Sequence, residues 1–265
     1  MSGIPIPHAR ERLPELRELR RRAGRMLVAL DFDGTLSPIV PVPGDAALME
    51  GLEGPLRRLS GRPDTTVAIV SGRGLSDVRA RVRLDGVYYA GNHGFEIEGP
   101  GVERVHEAAR SARPALEAAA SEIAAAMEDE PGVEVEDKVW TLTVHYRRAE
   151  RSGSEARVRE AVQRYGRRPG LRVTEGKKVF EIRPDVEWDK GAATRFLLEA
   201  LGRDGAVPAV FIGDDRTDED AFAVVRELGG GIVVGDPPPS DTNALAWAAD
   251  PAEVAALITE LADDD

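Results

Sequence analysis

The chain has 265 residues, enough for one large domain or two modest ones, and its 42% hydrophobic and 31% charged residues are typical of a soluble globular protein. With 35 Lys and Arg against 47 Asp and Glu, the formal net charge is −12, which argues against the basic face that a large nucleic-acid interface needs. The absence of cysteine excludes disulfides, thiolate metal sites and thiol nucleophiles.

We expect no export signal in the N-terminal region. The charged run Arg10–Arg25 follows Met1–Pro7 without the apolar segment of a secretory signal. No stretch approaches the ~18 consecutive apolar residues of a membrane span. We therefore expect a cytoplasmic protein that binds neither membrane nor nucleic acid.

Short apolar runs bounded by turn residues predict strands that are buried on both faces. These runs are Met26–Leu30, Thr66–Val70, Val87–Ala90, Pro208–Ile212 and Gly231–Val234. Helical periodicity lies between them, as at Leu48–Leu59 and Ala192–Leu201. This alternation predicts an α/β fold with a doubly wound parallel sheet, in which ligands bind at the carboxyl ends of the strands.

The middle of the chain has a different pattern. Its Ala-rich stretch Glu107–Glu130 predicts a helix, with Pro114 beginning a new helix or lying in its first turn. Strands at 133–138 and 140–146, a helix at 155–165 and strands at 171–174 and 179–182 follow. This order predicts a small α+β unit with antiparallel strands, inserted at residues 102–184 into a core of residues 1–101 and 185–265. We expect hinges near Gly99–Gly101 and Pro184–Asp185.

The strongest chemical signal directly follows the first predicted strand. Asp31 and Asp33 stand one residue apart before Gly34, so both carboxylates can point to one ligand. Asp31 could attack phosphorus, and Asp33 could protonate the leaving oxygen and later deprotonate water. A hard cation such as Mg²⁺ would relieve the repulsion between the two carboxylates. The alternative is a simple Asx turn.

Other strand and helix ends supply the remaining parts of a phosphoryl-transfer site. Ser71 brings a hydroxyl after the second strand, Lys190 could neutralise Asp31 and the phosphoryl group, and Gly213–Asp220 offers further oxygen ligands. Because these groups converge on one sheet edge, they favour phosphoryl transfer over a turn. Neither the glycine pattern of a dinucleotide-binding dehydrogenase nor that of a P-loop kinase occurs.

In order, Asp31–Thr35, Ser71–Arg73, Lys190 and Gly213–Asp215 resemble the four motifs of the haloacid-dehalogenase-like (HAD) phosphatases. Within that superfamily the chain is similar to the trehalose-6-phosphate phosphatases from about Arg25 to the C-terminal helix, which leaves residues 1–24 outside the resemblance. The segments that narrow the resemblance from the superfamily to this family are Asp31–Ile39, Gly91–Gly94 with Glu96, Lys138 with His145–Arg147, Gly176–Pro184 and Gly213–Phe222.

The resemblance implies a Rossmann-like core with a mobile cap that closes over the substrate. It implies that the chain hydrolyses trehalose 6-phosphate to trehalose and phosphate through an aspartyl-phosphate, the last step of trehalose biosynthesis. Asp31 would be the nucleophile and Asp33 the general acid and base. The implied Mg²⁺ ligands are Asp31, the backbone carbonyl of Asp33 and Asp214, together with Asp218, which would act through water or from behind the direct ligands. Whether Asp215 or Asp218 lies nearer the metal stays open.

Phosphate and sugar recognition follow from the same resemblance. Thr35, Ser71 and Lys190 would hold phosphate oxygens. A disaccharide phosphate also presents many hydroxyls, so the cap needs donors and acceptors, for which we expect Lys138, His145, Arg147, Lys178, Glu181 and Arg183. Strand alternation would place His145 and Arg147 on the same face of their strand. It would place Glu181 and Arg183 on one face of the next strand and Lys178 on the other. Glu181 is the preferred sugar contact, because a carboxylate bonded to two hydroxyls discriminates against analogues that lack them.

Several alternatives stay open. Arg73 and His93 are assigned to substrate binding, although Arg73 could instead pair with an acidic loop and His93 could serve only as a turn residue. The substrate could be another sugar phosphate, such as sucrose phosphate or a glycosyl-phosphoglycerate. The chain could also be a catalytically idle sugar-phosphate-binding subunit, but the presence of both Asp31 and Asp33 weighs against this. It could act as a monomer or associate with a trehalose-phosphate synthase.

Overall fold

The computed structural model describes residues 6–176, 178–202 and 206–263. Lys177, within one of the segments used above, and the last two aspartates lie outside the described residues. The chain divides into two compact units, one formed by the segments up to Glu103 and from Trp188 onward, the other by Arg104–Glu187. Within the described segments, no helix is both long enough and apolar enough to cross a membrane.

Helices and strands alternate along most of the described chain. The helices are α1 (Ala9–Ala23), α2 (Glu53–Ser60), α3 (Leu75–Val82), α4 (Glu107–Ala126), α5 (Ser154–Ala161), α6 (Lys190–Leu201), α7 (Glu219–Val225) and α8 (Pro251–Ala262). The strands are β1 (Met26–Leu30), β2 (Thr65–Val70), β3 (Tyr88–Gly91), β4 (Glu96–Gly99), β5 (Val102–Val105), β6 (Glu134–Asp137), β7 (Leu142–His145), β8 (Leu171–Gly176), β9 (Val179–Pro184), β10 (Ala209–Gly213), β11 (Gly229–Val234) and β12 (Ala246–Ala248).

The first unit is built on an eight-stranded sheet with the order β12-β11-β10-β1-β2-β3-β4-β5. The strands from β12 to β3 pair in parallel, and β4 pairs with β3 in the antiparallel direction. The predicted doubly wound parallel sheet is confirmed. The strand order reverses at β1, and ligands of open α/β sheets bind at such a switch point.

Alternate residues of β1 pack against different helices. Val28 and Leu30 belong to a buried cluster with residues of α1, α2, α3 and α8. Leu27 and Ala29 belong to a second cluster with residues of α6 and α7. The continuous apolar run of this strand therefore reflects burial on both faces of the sheet.

Two helices differ from the predicted pattern. The expected helix from Leu48 begins only at Glu53, because Glu50 and Gly51 form a turn in which Gly51 has φ +81°. Helix α4 continues through Pro114 instead of restarting there. Pro114 is exposed, so the Arg110 carbonyl that loses its helical partner can be hydrated.

The second unit has the predicted order of helix, two strands, helix and two strands. Its sheet has the order β6-β7-β9-β8, and every neighbouring pair is antiparallel. Leu116 of α4 and Val158 of α5 pack with Leu142 and Phe180 of the sheet in one buried cluster.

The unit bounds differ slightly from the expected insertion at residues 102–184. Gly99–Gly101 forms the turn of the β4–β5 hairpin, and the second unit begins at Arg104 and ends at Glu187. Whether Gly99–Gly101 and Pro184–Asp185 act as hinges stays a prediction.

Candidate active site

The carboxyl ends of adjacent strands bring the predicted chemical groups to one edge of the first sheet. Strand β1 lies between β10 and β2, with Leu30 opposite both Ile212 and Ile69. The Asp31 N–H donates to the Ile212 carbonyl at 2.9 Å. Asp31, Ser71 and Asp214 therefore follow three neighbouring parallel strands, as the convergence of strand ends predicts.

Lys190 links two of the predicted carboxylates. It is the first residue of α6, whose N-cap Asp189 accepts a hydrogen bond from the Ala192 N–H at 2.8 Å. Lys190 Nζ lies 2.9 Å from Asp31 Oδ1 and 2.7 Å from Asp218 Oδ1, and all three side chains are buried. One cation thus serves two buried carboxylates, an arrangement that leaves negative charge in excess.

The protonation equilibria reflect this excess. Burial raises the pKa of Asp31 well above its usual range; Lys190 opposes that shift, and Asp218 and Asp214 add to it. Burial, reinforced by Asp218, raises the pKa of Asp214 to about 7. Burial acts to lower the pKa of Lys190, but the charges of Asp218 and Asp31 outweigh it and raise that pKa above its usual value. A further positive charge would favour the ionised carboxylates.

Asp31, Asp214 and Asp218 form a group that can hold a metal ion. One carboxylate oxygen from each lies within 4.8 Å of the other two. Asp214 Oδ1 is buried and has no hydrogen-bond partner, although a buried polar atom normally has one. Carboxylate oxygens are the ligands that hard divalent cations prefer. The residues present therefore fit such a cation, and they include three of the four predicted metal ligands.

The carboxylate of Asp33, the fourth predicted ligand, lies in a different set of contacts. Arg73 donates from Nε to Asp33 Oδ2 and from Nη2 to Asp33 Oδ1, both at 2.7 Å, and from Nη1 to Asp77 Oδ2 at 2.9 Å. Burial acts to lower the pKa of Arg73, but Asp33 and Asp77 raise it above its usual value. Arg73 thus pairs with two carboxylates, one in the loop after β1 and one in α3, and neither belongs to the acidic loop Gly213–Asp220.

Two predicted phosphate-binding hydroxyls lie at the same edge of the sheet. Thr35 is fully buried, and its Oγ1 has no hydrogen-bond partner. Ser71 is also buried, and its Oγ accepts from the Arg73 N–H at 3.2 Å. Both hydroxyls keep a proton to donate, and that of Thr35 has no protein acceptor in the structure.

His93 lies in a strained segment beside the Ser71 loop. Asn92, His93 and Gly94 have φ values of +50°, +57° and +90°, a run that is unusual for residues other than glycine. The His93 N–H donates to the Ser71 carbonyl at 2.9 Å, and the Asn92 N–H donates to the Arg73 carbonyl at 2.7 Å. The segment therefore fixes the backbone of the Ser71 loop, a role that the sequence pattern alone did not indicate.

One face of the second unit's sheet carries most of the predicted sugar-binding residues. Leu142, Val144, Phe180 and Ile182 point into the buried cluster, so strand alternation places the residues between them on the opposite face. We call this surface the polar sheet face and define it by Glu136, Lys138, Thr143, His145, Glu181 and Arg183.

Glu136 joins two predicted residues of the polar sheet face and was not itself predicted. Its Oε2 lies 2.9 Å from His145 Nε2 and 3.9 Å from Lys138 Nζ. Thr143, also not predicted, lies opposite Glu136 in the β6–β7 pair and opposite Glu181 in the β7–β9 pair. Alternation along the predicted strand 133–138 would have placed Glu136 on the same face as Lys138.

Two further predicted sugar-binding residues lie in turns outside the strands of this sheet. Lys178 Nζ lies 2.8 Å from Glu155 Oε2 and 5.4 Å from the centre of the Tyr146 ring. Arg147 is exposed in a turn, because β7 ends at His145. The alternation that paired Arg147 with His145 therefore does not extend to it.

Comparisons with known proteins give the family that this chain matches. A family model described as trehalose-phosphatase matches residues 29–244. A trehalose-phosphate phosphatase of Mycobacterium tuberculosis is 44% identical over 240 residues, which cover 89% of this chain and 61% of that protein. The chain thus spans less than two thirds of the length of this curated relative.

Solved structures share the fold. The C-terminal domain of Candida albicans trehalose-6-phosphate phosphatase superposes with a TM-score of 0.78 at 26% identity, covering 97% of this chain and 98% of that chain. A haloacid dehalogenase-like hydrolase from Bacteroides thetaiotaomicron gives a TM-score of 0.59 at 16% identity, covering 88% of this chain and 98% of that chain. The latter similarity concerns the fold alone.

Proposed function

Because the chain belongs to the trehalose-phosphatase family, we propose that it hydrolyses trehalose 6-phosphate to trehalose and phosphate, the last step of trehalose biosynthesis. The observation that carries the proposal is the buried contact of 2.9 Å between Lys190 Nζ and Asp31 Oδ1 at the end of β1. Asp214 and Asp218 lie beside this pair. A nucleophile, a cation and metal-ligating oxygens are therefore available at one sheet edge.

Asp31 supplies the nucleophile. One of its oxygens bonds to phosphorus while the bond from phosphorus to the sugar O6 breaks, which releases trehalose and leaves an aspartyl-phosphate. Lys190 orients Asp31 and balances part of the charge on the phosphoryl oxygens. The hydroxyls of Thr35 and Ser71 donate hydrogen bonds to those oxygens.

Asp33 moves the protons. It donates a proton to the departing O6, then removes one from the water that attacks phosphorus, which frees phosphate and restores Asp31. Because its carboxylate is paired with Arg73, Asp33 must leave that pair to reach the sugar oxygen. Arg73 then becomes available to the substrate phosphate, which reconciles its ion pair with its predicted substrate contact.

We assign the group of Asp31, Asp214 and Asp218 to Mg²⁺, which these carboxylates and the backbone carbonyl of Asp33 would hold. When bound, the ion supplies positive charge to the phosphoryl oxygens and orients the phosphoryl group. The unpartnered Asp214 Oδ1 and the excess of buried carboxylates support this assignment.

The polar sheet face supplies sugar recognition. Glu136 and Glu181 offer acceptors to sugar hydroxyls, while Lys138, His145 and Arg183 offer donors. A site that pairs with sugar hydroxyls rejects analogues that lack them, because its buried polar groups would then be unpaired. Lys178 and Arg147 stay predicted contacts that the polar sheet face does not include.

The test is phosphate release from trehalose 6-phosphate, sucrose phosphate and a glycosyl-phosphoglycerate, each with and without EDTA. We expect trehalose 6-phosphate to be the best substrate, EDTA to abolish its hydrolysis and Asp31→Asn to lower it about 10³-fold or more, since loss of a nucleophile removes the covalent route. Asp85→Asn is the matched control, because Asp85 is exposed outside the proposed site.

Each other outcome contradicts a defined part of the proposal. Substantial EDTA-sensitive hydrolysis by Asp31→Asn would remove the nucleophile assignment. If the wild-type chain prefers another compound of the panel, that compound is the substrate instead. If it turns over none of them, a binding subunit is favoured. Location in the cytoplasm and association with a trehalose-phosphate synthase stay predictions, which cell fractionation and co-purification can test.

A further inference from the structure

Thr143 lies at the centre of the polar sheet face. Its strand neighbours Leu142 and Val144 are fully buried in the core of the second unit, so its own side chain points to the other side of the sheet. The residues opposite it on the flanking strands are Glu136 and Glu181. A hydroxyl thus stands between two carboxylate side chains on three adjacent strands.

The Thr143 hydroxyl has no protein partner. The side chain is 4% exposed, and its Oγ1 is buried without a hydrogen bond. Among the side chains that the structure describes, the only other buried hydroxyl without a partner is that of Thr35, which lies where the phosphate is proposed to bind. Buried hydroxyls elsewhere do have partners, as Thr194 shows by donating to the Lys190 carbonyl at 2.7 Å.

An unpaired buried hydroxyl lowers stability, so its presence needs a reason. A bound polyol supplies one here. A sugar hydroxyl that donates its proton to Glu136 or Glu181 still has lone pairs, and the Thr143 hydroxyl can donate to them. Carboxylates accept but cannot donate, so the threonine supplies the donor that they lack.

We infer that Thr143 is a further specificity-determining residue, whose Oγ1 donates a hydrogen bond to a glycosyl hydroxyl held by the flanking carboxylates. The inference rests on the proposed function, since it names a sugar contact of the same site. It extends sugar recognition from the charged side chains to a neutral, buried hydroxyl.

Thr143→Val tests the inference, because it removes the hydroxyl and keeps the side-chain shape. We expect kcat/KM for trehalose 6-phosphate to fall about three- to tenfold, the effect of one neutral hydrogen bond. We expect no change with a small aryl phosphate, which presents no sugar hydroxyls, and no fall in melting temperature, because no protein hydrogen bond is lost. Thr143→Ser retains the hydroxyl and should retain most of the activity.

Thr174→Val is the matched control. Thr174 lies opposite Glu181 on β8 but is exposed, so water can pair with its hydroxyl whether or not substrate is bound. A set of monodeoxy trehalose 6-phosphates then locates the contact. The wild-type chain should discriminate against one analogue more strongly than Thr143→Val does, while Thr174→Val should discriminate as the wild-type chain does.

The outcomes separate this inference from the proposed function. Suppose that the wild-type chain hydrolyses trehalose 6-phosphate. If Thr143→Val has the same kcat/KM for that substrate, or loses the same factor of kcat/KM on the aryl phosphate, the inference is overturned and the proposed function stands. Equal activity of Thr143→Ser and Thr143→Val on trehalose 6-phosphate would also overturn the inference alone. If the wild-type chain hydrolyses no glycosyl phosphate, the proposed function and the inference fall together.

Discussion

Gly34 lets the loop after β1 approach Asp214 more closely than any other residue would allow. Its φ is +79°, and a Cβ added to it would lie 2.1 Å from Asp214 Oδ2. Alanine there must adopt a left-handed backbone, at a cost of about 1–2 kcal/mol, and must also displace the carboxylate. Under the proposed function, we expect Gly34→Ala to lower phosphate release about 100-fold, because it displaces a carboxylate of the proposed site, and to abolish the rise in melting temperature that we expect Mg²⁺ to give the wild-type chain.

Gly51→Ala is the control for Gly34→Ala, because it has the cost of a left-handed backbone without a steric clash. Gly51 has φ +81°, and an added Cβ would meet nothing within 4 Å. Both alanine variants should therefore lose some stability by thermal unfolding, but only Gly34→Ala should lose the Mg²⁺ response and the activity. If the two variants release phosphate at the same rate, close approach of Gly34 to Asp214 has no functional role.

The residues of the site differ in how far sequence could predict them. Asp31, Ser71 and Asp214 directly follow strands, so a parallel sheet alone brings them to one edge. The pairing of Arg73 with Asp33 joins residues 40 apart in the chain, and no local pattern indicates which of several carboxylates a long side chain selects. Thr143 was missed for another reason, since threonine is common in strands and its unpaired state depends on all its neighbours.

At the scale of elements, the turn between β6 and β7 holds Val139 in a left-handed conformation with φ +73°. Such a conformation is a genuine outlier for a β-branched residue. Asp137 Oδ1 accepts from the Val139 N–H at 2.8 Å, and Arg113 Nη1 donates to the Val139 carbonyl at 2.7 Å. These hydrogen bonds hold the turn that carries Lys138 of the polar sheet face.

Replacement of Val139 tests whether the turn is strained. Val139 is 46% exposed, so little buried area is at stake. We expect Val139→Gly and Val139→Asn to raise the free energy of unfolding by about 0.5–1 kcal/mol, because both residues adopt positive φ more readily. Urea unfolding measures the change, and Val139→Thr, which remains β-branched, should show no gain. A loss of stability in both the glycine and the asparagine variant would contradict the strain.

Element boundaries show what apolar patterns do and do not encode. The continuous runs at β1 and β2 predicted buried strands correctly, because burial on both faces leaves a direct mark on composition. The predicted start of α2 was wrong because of the backbone conformation at Gly51. The predicted break in α4 was wrong because Pro114 is exposed to solvent and is tolerated within the helix. Periodicity carries neither kind of information.

At the scale of the whole chain, α1 and α8 lie outside residues 29–244, the family match, yet they pack on the same face of the first sheet. Arginines near the N-terminus bind the last turn of α8. Arg17 donates to the Glu260 carbonyl at 2.6 Å, and Arg20 donates to the Leu261 carbonyl at 2.9 Å. Both carbonyls belong to the last turn of α8, where carbonyl groups generally lack intrahelical donors, so the arginines supply donors there.

Arg20 is the decisive residue of this contact, because it is 2% exposed while its neighbour Arg21 has a side chain that is 77% exposed. Arg20→Met keeps the apolar stem but leaves the Leu261 carbonyl without its donor, so we expect the free energy of unfolding to fall by about 2–3 kcal/mol. Arg21→Met removes only a surface pair with Glu18 and should leave the free energy of unfolding nearly unchanged. Urea unfolding of the two variants measures the difference. Equal effects would mean that the contact between Arg20 and α8 adds no stability. A selective loss in Arg20→Met would show that residues outside the family match stabilise the first unit.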